Sequence, residues 1–310
     1  MGENGNVWMP DAMSTVASEV DALFYFVLWT STIIFALVII AKVYFAVRYR
    51  RQDPTEVPQP MHESKVLETA WIVIPTILVL IVFTWGFKLF VKMSSSPPDA
   101  YQVTVRGKQW FWEFQYPNGT IAANELHVPV GQPVKLLMSS EDVLHSFFIP
   151  DFRVKHDVLP NRYTSLWFEA TTTGEYQIYC TEYCGTSHSG MLGKVIVQTE
   201  EEFEAWMNEQ SQDLPPAELG AKIYRQYNCN VCHSVDGTRI VGPTFKGLWG
   251  SQRQFEDGGT ATADENYIRE SIINPGAHIV QTYPNAMPAT YGSLSAKQLD
   301  GVIAFIQTLE

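Results

Sequence analysis

Cys180-Thr-Glu-Tyr-Cys184-Gly-Thr-Ser-His188-Ser-Gly-Met191 places two thiols, an imidazole and a thioether in one short loop. Soft sulfur donors beside an imidazole select copper over harder cations. A mononuclear blue-copper site uses one cysteine, two histidines and a weak axial ligand, whereas two cysteines sharing a loop can both bridge a pair of metal ions. The second histidine must come from elsewhere in the chain. His145, in Ser139-Ser-Glu-Asp-Val-Leu-His-Ser146 just after a predicted strand, is best placed, with His127 and His156 less so. A disulfide between Cys180 and Cys184, with His145 as a core histidine, is the plain alternative in an oxidising compartment.

Outward from this loop run short alternating stretches at 101–105, 110–115, 134–138, 165–168, 176–179 and 195–197, separated by Gly/Pro turns. Many short strands of this kind predict an all-β sandwich or barrel, here bounded at 93–198. An acidic helix at 200–210 follows, and Leu214-Pro-Pro216 closes a linker at 199–217. Beyond it the pattern turns helical, from 218 to 310. Ser295 with Gln298 reads as a capping box, and Leu294 with Leu299 as a hydrophobic staple, ahead of an apolar face of Leu299, Val302, Ile303 and Ile306. Thr262 with Glu265 reads as another capping box, before a helix that stops short of Pro275.

Upstream, residues 22–41 carry no charge and apolar character resumes after Lys42 as far as Val47, enough to cross a bilayer core. A second uncharged stretch at 69–87 contains Pro75, which neighbouring segments in a membrane can accommodate. Arg48, Arg50, Arg51 and Lys65 make the connection basic, so the positive-inside rule puts it in the cytoplasm and both ends of the hairpin outside. The expected layout is an extracytoplasmic segment at 1–21, helices at about 22–47 and 66–90, and a cytoplasmic loop at 48–65. A secretory signal would need a basic leading region, yet Glu3, Asp11, Glu19 and Asp21 stand there with no Lys or Arg. The net charge of −12 excludes nucleic acid as a partner and steers basic proteins towards the exposed surface.

The other two cysteines form Cys229-Asn-Val-Cys232-His233. In this spacing both thiols can bond haem vinyl groups while the next imidazole reaches the iron. A structural zinc would need two further ligands, and no second close Cys/His pair lies downstream. After His233 only Met287 and His278 are candidates for the sixth ligand. Met287, in Tyr283-Pro-Asn-Ala-Met-Pro288, is favoured because proline bracketing presents a thioether rigidly and Met/His ligation raises the potential.

On these motifs the segment from 218 to 310 resembles a class I cytochrome c. Gly242-Pro-Thr-Phe-Lys-Gly-Leu-Trp-Gly250 is similar to that family's loop after the haem motif, which implies that the Pro243 carbonyl orients His233. Gly220 and Tyr224 resemble the crossing of its first and last helices. The stretch from 101 to 197 resembles the two-copper (CuA) cupredoxin domain of cytochrome c oxidase subunit II. The whole chain resembles the fused form of caa3-type haem-copper oxidases: a multidomain membrane protein with a transmembrane hairpin, an all-β cupredoxin-like domain and an all-α cytochrome.

The resemblance implies His145, Cys180, Cys184, His188 and Met191 as copper ligands, completed by the Glu182 carbonyl. It implies a magnesium or manganese ion at the Glu182 carboxylate, shared with subunit I. Trp110, in Gly107-Lys-Gln-Trp-Phe-Trp112, would be where an electron passes from donor to copper, and Glu68 the cytoplasmic mouth of a proton path. The expected function is subunit II of a proton-pumping cytochrome c oxidase in the bacterial inner membrane. Its soluble part would be periplasmic, its partners subunits I and III, membrane lipid and an extracytoplasmic one-electron donor. A CuA-type nitric oxide reductase subunit and a membrane-tethered electron shuttle are the alternatives.

Overall fold

The computed structural model describes residues 8–55, 57, 63–210 and 214–310. Glu3, residues 56 and 58–62 of the interhelical loop and linker residues 211–213 lie outside the described residues. Two compact units, Met1–Ser95 and Ser96–Glu310, divide the chain.

The first unit holds α1 (Ala17–Arg48) and α2 (Lys65–Ser94). At the helical rise of about 1.5 Å per residue each is longer than the roughly 30 Å hydrocarbon core. Phe35, Leu37 and Ile40 on α1 and Ile72, Leu80 and Phe83 on α2 are exposed, as lipid-facing or partner-facing side chains must be. The helices exceed the expected 22–47 and 66–90 because their charged ends remain helical. Glu19 in the first turn of α1 and Lys92 in the last turn of α2 pair at 2.6 Å. Ser64 caps α2 by accepting from the Leu67 N–H at 3.4 Å. Pro75 lies inside α2 without ending it, and the Thr76 hydroxyl donates back to the Ile72 carbonyl at 2.6 Å.

The second unit begins with ten strands: β1 (Tyr101–Lys108), β2 (Phe111–Gln115), β3 (Ile121–Ala123), β4 (Glu125–Pro129), β5 (Pro133–Ser140), β6 (His145–Ile149), β7 (Val154–Val158), β8 (Thr164–Glu169), β9 (Gly174–Cys180) and β10 (Leu192–Gln198). One sheet has the order β3-β2-β1-β5-β8 and the other β4-β10-β9-β6-β7. Only β1–β5 and β10–β4 pair in parallel. Alternation along β5 buries Val134, Leu136 and Met138, and along β10 Val195 and Val197. With Trp112, Phe114, Phe147 and Ile178 they form the apolar filling of the sandwich.

Helix α3 (Glu200–Gln210) covers the β4 edge, where the Trp206 ring stacks on His127 at 4.0 Å. The helical part follows as α4 (Pro216–Gln226), α5 (Cys229–Cys232), the small β11–β12 hairpin (Gln252–Gln254, Thr260–Thr262), α6 (Glu265–Ile273) and α7 (Ala296–Gln307). Pro216 takes the first position of α4, where its missing N–H costs nothing. The capping box at Ser295 forms in full. The one expected at Thr262 does not: Thr262 is the last residue of β12, and Asp264, in extended backbone, caps α6 by accepting from the Tyr267 N–H at 2.9 Å.

The two parts of this unit share core. Phe111 and Ala123 of the sheet are buried in the same cluster as Tyr227, Tyr291 and Leu299, and the Phe111 ring lies 4.9 Å from Tyr227 and 5.6 Å from Tyr291. Within the helical part, α4 crosses α7 at Gly220 and Gly301. A Cβ on Gly220 would stand 2.0 Å from the Gly301 carbonyl oxygen, so only hydrogen fits.

Gly220→Ala must push the two helices apart. Urea unfolding of the full chain in detergent should show a loss of about 1–3 kcal/mol or more, the usual range for overpacking. Gly276→Ala, whose Cβ would meet only Asn285 at 3.9 Å, should leave the midpoint unmoved.

Candidate functional site

Antiparallel pairing of β6 with β9 sets Phe147 opposite Cys180. The same pairing brings His145, the first residue of β6, against the end of β9. The Cys180 N–H donates to the Met191 carbonyl at 3.3 Å and the Thr181 N–H to the Ser146 carbonyl at 3.0 Å, pinning both ends of the loop. A short 3-10 turn at His188–Gly190 then folds His188 inward.

The result is a compact donor set. The Cys180 and Cys184 sulfurs lie 3.8 Å apart, both free, where a disulfide would hold them at about 2.05 Å. His145 Nδ1 is 3.9 Å from Cys180 Sγ, His188 Nδ1 is 3.4 Å from Cys184 Sγ, and Met191 Sδ is 3.8 Å from Cys184 Sγ. The Glu182 carbonyl oxygen is 3.4 Å from Cys180 Sγ. His145, Cys180, Cys184 and Met191 are buried, and the ligand atoms of His145, Cys180 and Cys184 fall within 4.8 Å of one another. This clustering of soft donors fits copper.

The neighbouring Cys184 sulfhydryl and then the His145 ring favour ionisation of Cys180, while the Cys180 anion so close by drives the Cys184 thiol strongly upward. A second thiolate here needs a cation. Asp142 fixes the histidine: its carboxylate sits 2.8 Å from His145 Nε2 and accepts from the Gln109 N–H and the Val143 N–H, each at 2.6 Å. Burial pulls the His145 pKa down, but Asp142 and Cys180 outweigh it and raise the value. His145 Nδ1 is thereby left for the sulfur side.

Of the other histidines, His127 hydrogen-bonds Gln198 through Nδ1 at 2.9 Å, and His156 Nδ1 lies 3.1 Å from the Asp157 carbonyl. Neither joins the cluster. The Glu182 carboxylate points elsewhere than its carbonyl, 3.9 Å from the Lys155 ammonium. Glu68, in the first turn of α2, pairs with Lys65 at 3.1 Å.

The second centre is a cleft that Cys229, Cys232, His233 and Met287 line together with apolar side chains such as Leu248, Ile279 and Val302. His233 Nδ1 donates to the Pro243 carbonyl at 2.7 Å, which fixes the tautomer and leaves Nε2 as the lone-pair nitrogen. Burial lowers the His233 pKa and keeps the ring neutral. A Cβ on Gly242 would stand 2.6 Å from His233 Cε1, so glycine is what lets the loop close on the imidazole. Burial also pushes the Cys229 thiol up to about 12, the reverse of Cys180. A neutral thioether suits that cleft; a metal thiolate does not. An apolar slot with two such thiols, a fixed imidazole and a thioether fits covalent haem. His278 also lines the cleft, its ring stacked on Phe255 at 4.8 Å.

Cytochrome c oxidase subunit 2 of Alkalihalophilus pseudofirmus is 31% identical over 298 residues, covering 90% of this chain and 85% of that protein. The chain belongs to the cytochrome c oxidase subunit 2 family. Family profiles agree piece by piece: the subunit II transmembrane domain matches residues 2–89, the subunit II periplasmic domain residues 120–199, and cytochrome c residues 217–310. Cytochrome c oxidase subunit 2 of Bacillus subtilis is 28% identical over 298 residues, 86% of this chain and 82% of that protein. The crystal structure of the periplasmic domain of subunit II of cytochrome oxidase of Bradyrhizobium japonicum, at 29% identity, covers 37% of this chain and 96% of that one, with a TM-score of 0.36. A subunit II fused to a cytochrome c therefore carries copper and haem c, on an extracytoplasmic part behind two apolar helices.

Trp110 connects the two centres of this subunit II. Its indole N–H donates to the Cys184 carbonyl at 3.0 Å, and its ring also lines the haem cleft. Gly185, at φ +119, permits the approach, since a Cβ there would meet the Trp110 ring at 2.9 Å. The sequence reading missed Asp142, although it stands three residues before His145, because a loop acid looks solvated until its partners His145, Gln109, Val143 and Ser140 are seen. It also missed Tyr224 as a site residue: its hydroxyl donates to the His233 carbonyl at 2.6 Å.

Asp142→Ala should destabilise the copper-free protein by about 1.5–3 kcal/mol, the range for losing hydrogen bonds to a charged group. Asp142→Asn, which keeps one acceptor, should lose roughly half of that in denaturant midpoints. Equal losses would mean that the charge contributes nothing.

Proposed function

We propose that this subunit II passes electrons singly from an extracytoplasmic donor protein, through haem c and a binuclear copper centre, to a haem in the catalytic subunit I of a cytochrome c oxidase. The observation that carries the reading is the pair of buried sulfurs 3.8 Å apart with imidazoles and a thioether around them. Blue-copper geometry has no use for the second sulfur. When bound, the copper pair and the haem supply reversible one-electron chemistry.

The chain's own residues do the rest. Cys180 and Cys184 would hold the two coppers, and His145, His188, Met191 and the Glu182 carbonyl would complete the set. Asp142 holds the His145 ring in place. A buried, pinned loop keeps the ligands nearly still between oxidation states, which lowers the reorganisation needed for each transfer. Cys229 and Cys232 would bond the haem, and His233, its ring fixed by Pro243, and Met287 would ligate the iron. Met/His ligation raises the haem potential, as a donor to an oxidase requires.

Around this core the reading assigns further roles. The Glu182 carboxylate is a hard oxygen donor for a magnesium or manganese ion shared with subunit I. Trp110 carries the electron towards copper. Glu68, an acid at the start of α2, is the mouth of a proton path serving the partner. The hairpin sits in a bacterial inner membrane against subunits I and III, with residues 93–310 in the periplasm. Oxygen reduction and proton pumping belong to the partner subunits; no bond is made or broken in this chain.

Metal and haem analysis of the purified oxidase tests the reading. Two coppers of this subunit and one covalent haem are expected, with EPR hyperfine structure of an electron shared by both coppers. Cys184→Ser should abolish the shared-electron signal and keep the haem band, and Cys232→Ser should do the reverse. One copper per chain would overturn the binuclear centre.

A further inference from the structure

Asn228 stands between the two centres. It precedes Cys229 in the left-handed backbone region, φ 56° and ψ 23°, and turns the chain from α4 into α5. Its side-chain amide donates to the Trp110 carbonyl at 3.0 Å and reaches the Gly190 carbonyl at 3.5 Å. Both acceptors are one step from copper ligands: the Trp110 indole N–H is bonded to the Cys184 carbonyl, and Gly190 is joined covalently to Met191. One nitrogen thus links the residue before a haem-bonding cysteine to both arms of the copper loop.

The contacts around it hold this face shut. The Thr290 hydroxyl donates to the Gln109 carbonyl at 3.0 Å, and the Lys108 ammonium to the Ser293 hydroxyl at 3.0 Å. The Asn124 amide donates to the Gln226 carbonyl, and a Cβ on Gly190 would meet Val231 at 3.7 Å. Trp110 is only 9% exposed, so no outside protein can stack on its ring.

We propose that Asn228, by holding the cytochrome part against the Trp110 face, is a positioning residue for the electron step between haem and copper. This rests on the reading of the two centres given above. In that step one electron leaves the haem iron, ferrous becoming ferric, and reduces the copper pair by one. No proton or bond moves. The electron is supplied by an external one-electron donor that docks elsewhere on the cytochrome surface.

Asn228 acts as a donor between two carbonyl oxygens, and that chemistry ranks its replacements. Glycine adopts the left-handed backbone freely and removes only the amide. Aspartate keeps the shape and aims a carboxylate at two carbonyls. A space-filling role would tolerate aspartate best; a donor role tolerates it worst.

The test uses the assembled oxidase, with haem c reduced by one electron from a photoexcited ruthenium complex, which is itself oxidised, and arrival of the electron followed at the copper absorption band. Asn228→Gly should slow the transfer about fivefold, the population shift that loss of one such hydrogen bond produces, and Asn228→Asp should slow it further. The haem potential should stay at its wild-type value in Asn228→Gly and the copper EPR signal in both variants, while hydrogen exchange at residues 108–113 should speed up in the same order. Wild-type rates and exchange in Asn228→Asp would overturn the inference with the centres intact. A wild-type oxidase lacking covalent haem or the shared-copper signal would overturn the underlying reading instead.

Discussion

Two sulfurs buried 3.8 Å apart can share one negative charge easily and two only with a cation beside them. That constraint organises the copper side of the molecule. It explains why His145 and Asp142 are fully used in fixing geometry, and why the loop is tied at both ends to β6 and Met191 instead of left mobile. It also explains why the sandwich devotes its central pairing, β6 on β9, to bringing one histidine to one cysteine. The sheet supplies the frame, and the loop supplies the remaining donors.

The second cysteine pair shows the same residue type in the opposite environment. Cys229 lies in an apolar cleft, so burial suppresses its ionisation where Cys180 is encouraged to ionise. The first pair suits thiolate chemistry and the second suits neutral covalent attachment. Spacing tells the two pairs apart as text, C-x3-C against C-x2-C-H, and the packing around each sulfur supplies the physical reason.

Much of this was legible because its signals are local. The copper loop, the haem motif, the capping box at Ser295 and the uncharged stretches each declare themselves within a few residues. Strands β3, β4, β6 and β7 did not, and β3 is only three residues long. β6 is buried on nearly every residue between β7 and β9, so no alternation marks it, and β7 carries Lys155, His156 and Asp157 at a sheet edge. β4 is an edge strand ending in proline and protected by Trp206 from a later helix. Asp142, Tyr224 and Asn228 were illegible as site residues for a related reason. Asp142 has neighbours in sequence among its partners, but the Gln109 N–H that completes its role is 33 positions away; the partner of Tyr224 is nine positions away and those of Asn228 are 38 and 118. Thr262 misled because its spacing to Glu265 satisfies a local rule that the β11–β12 hairpin overrides.

The seam between sheet and helices bears on why fusion is more than tethering. A flexible linker alone raises the effective concentration of a donor, but leaves its orientation to be found at each encounter. Here Phe111 enters the same core as Tyr227 and Tyr291, so the cytochrome part cannot leave without exposing apolar surface. Burial of that ring opposes separation, and the polar contacts at Asn228, Thr290 and Lys108 choose one register among those that burial alone would allow. Apolar area sets the strength of the seam and hydrogen bonds set its geometry, which is the division of labour that a fixed electron path between two centres demands.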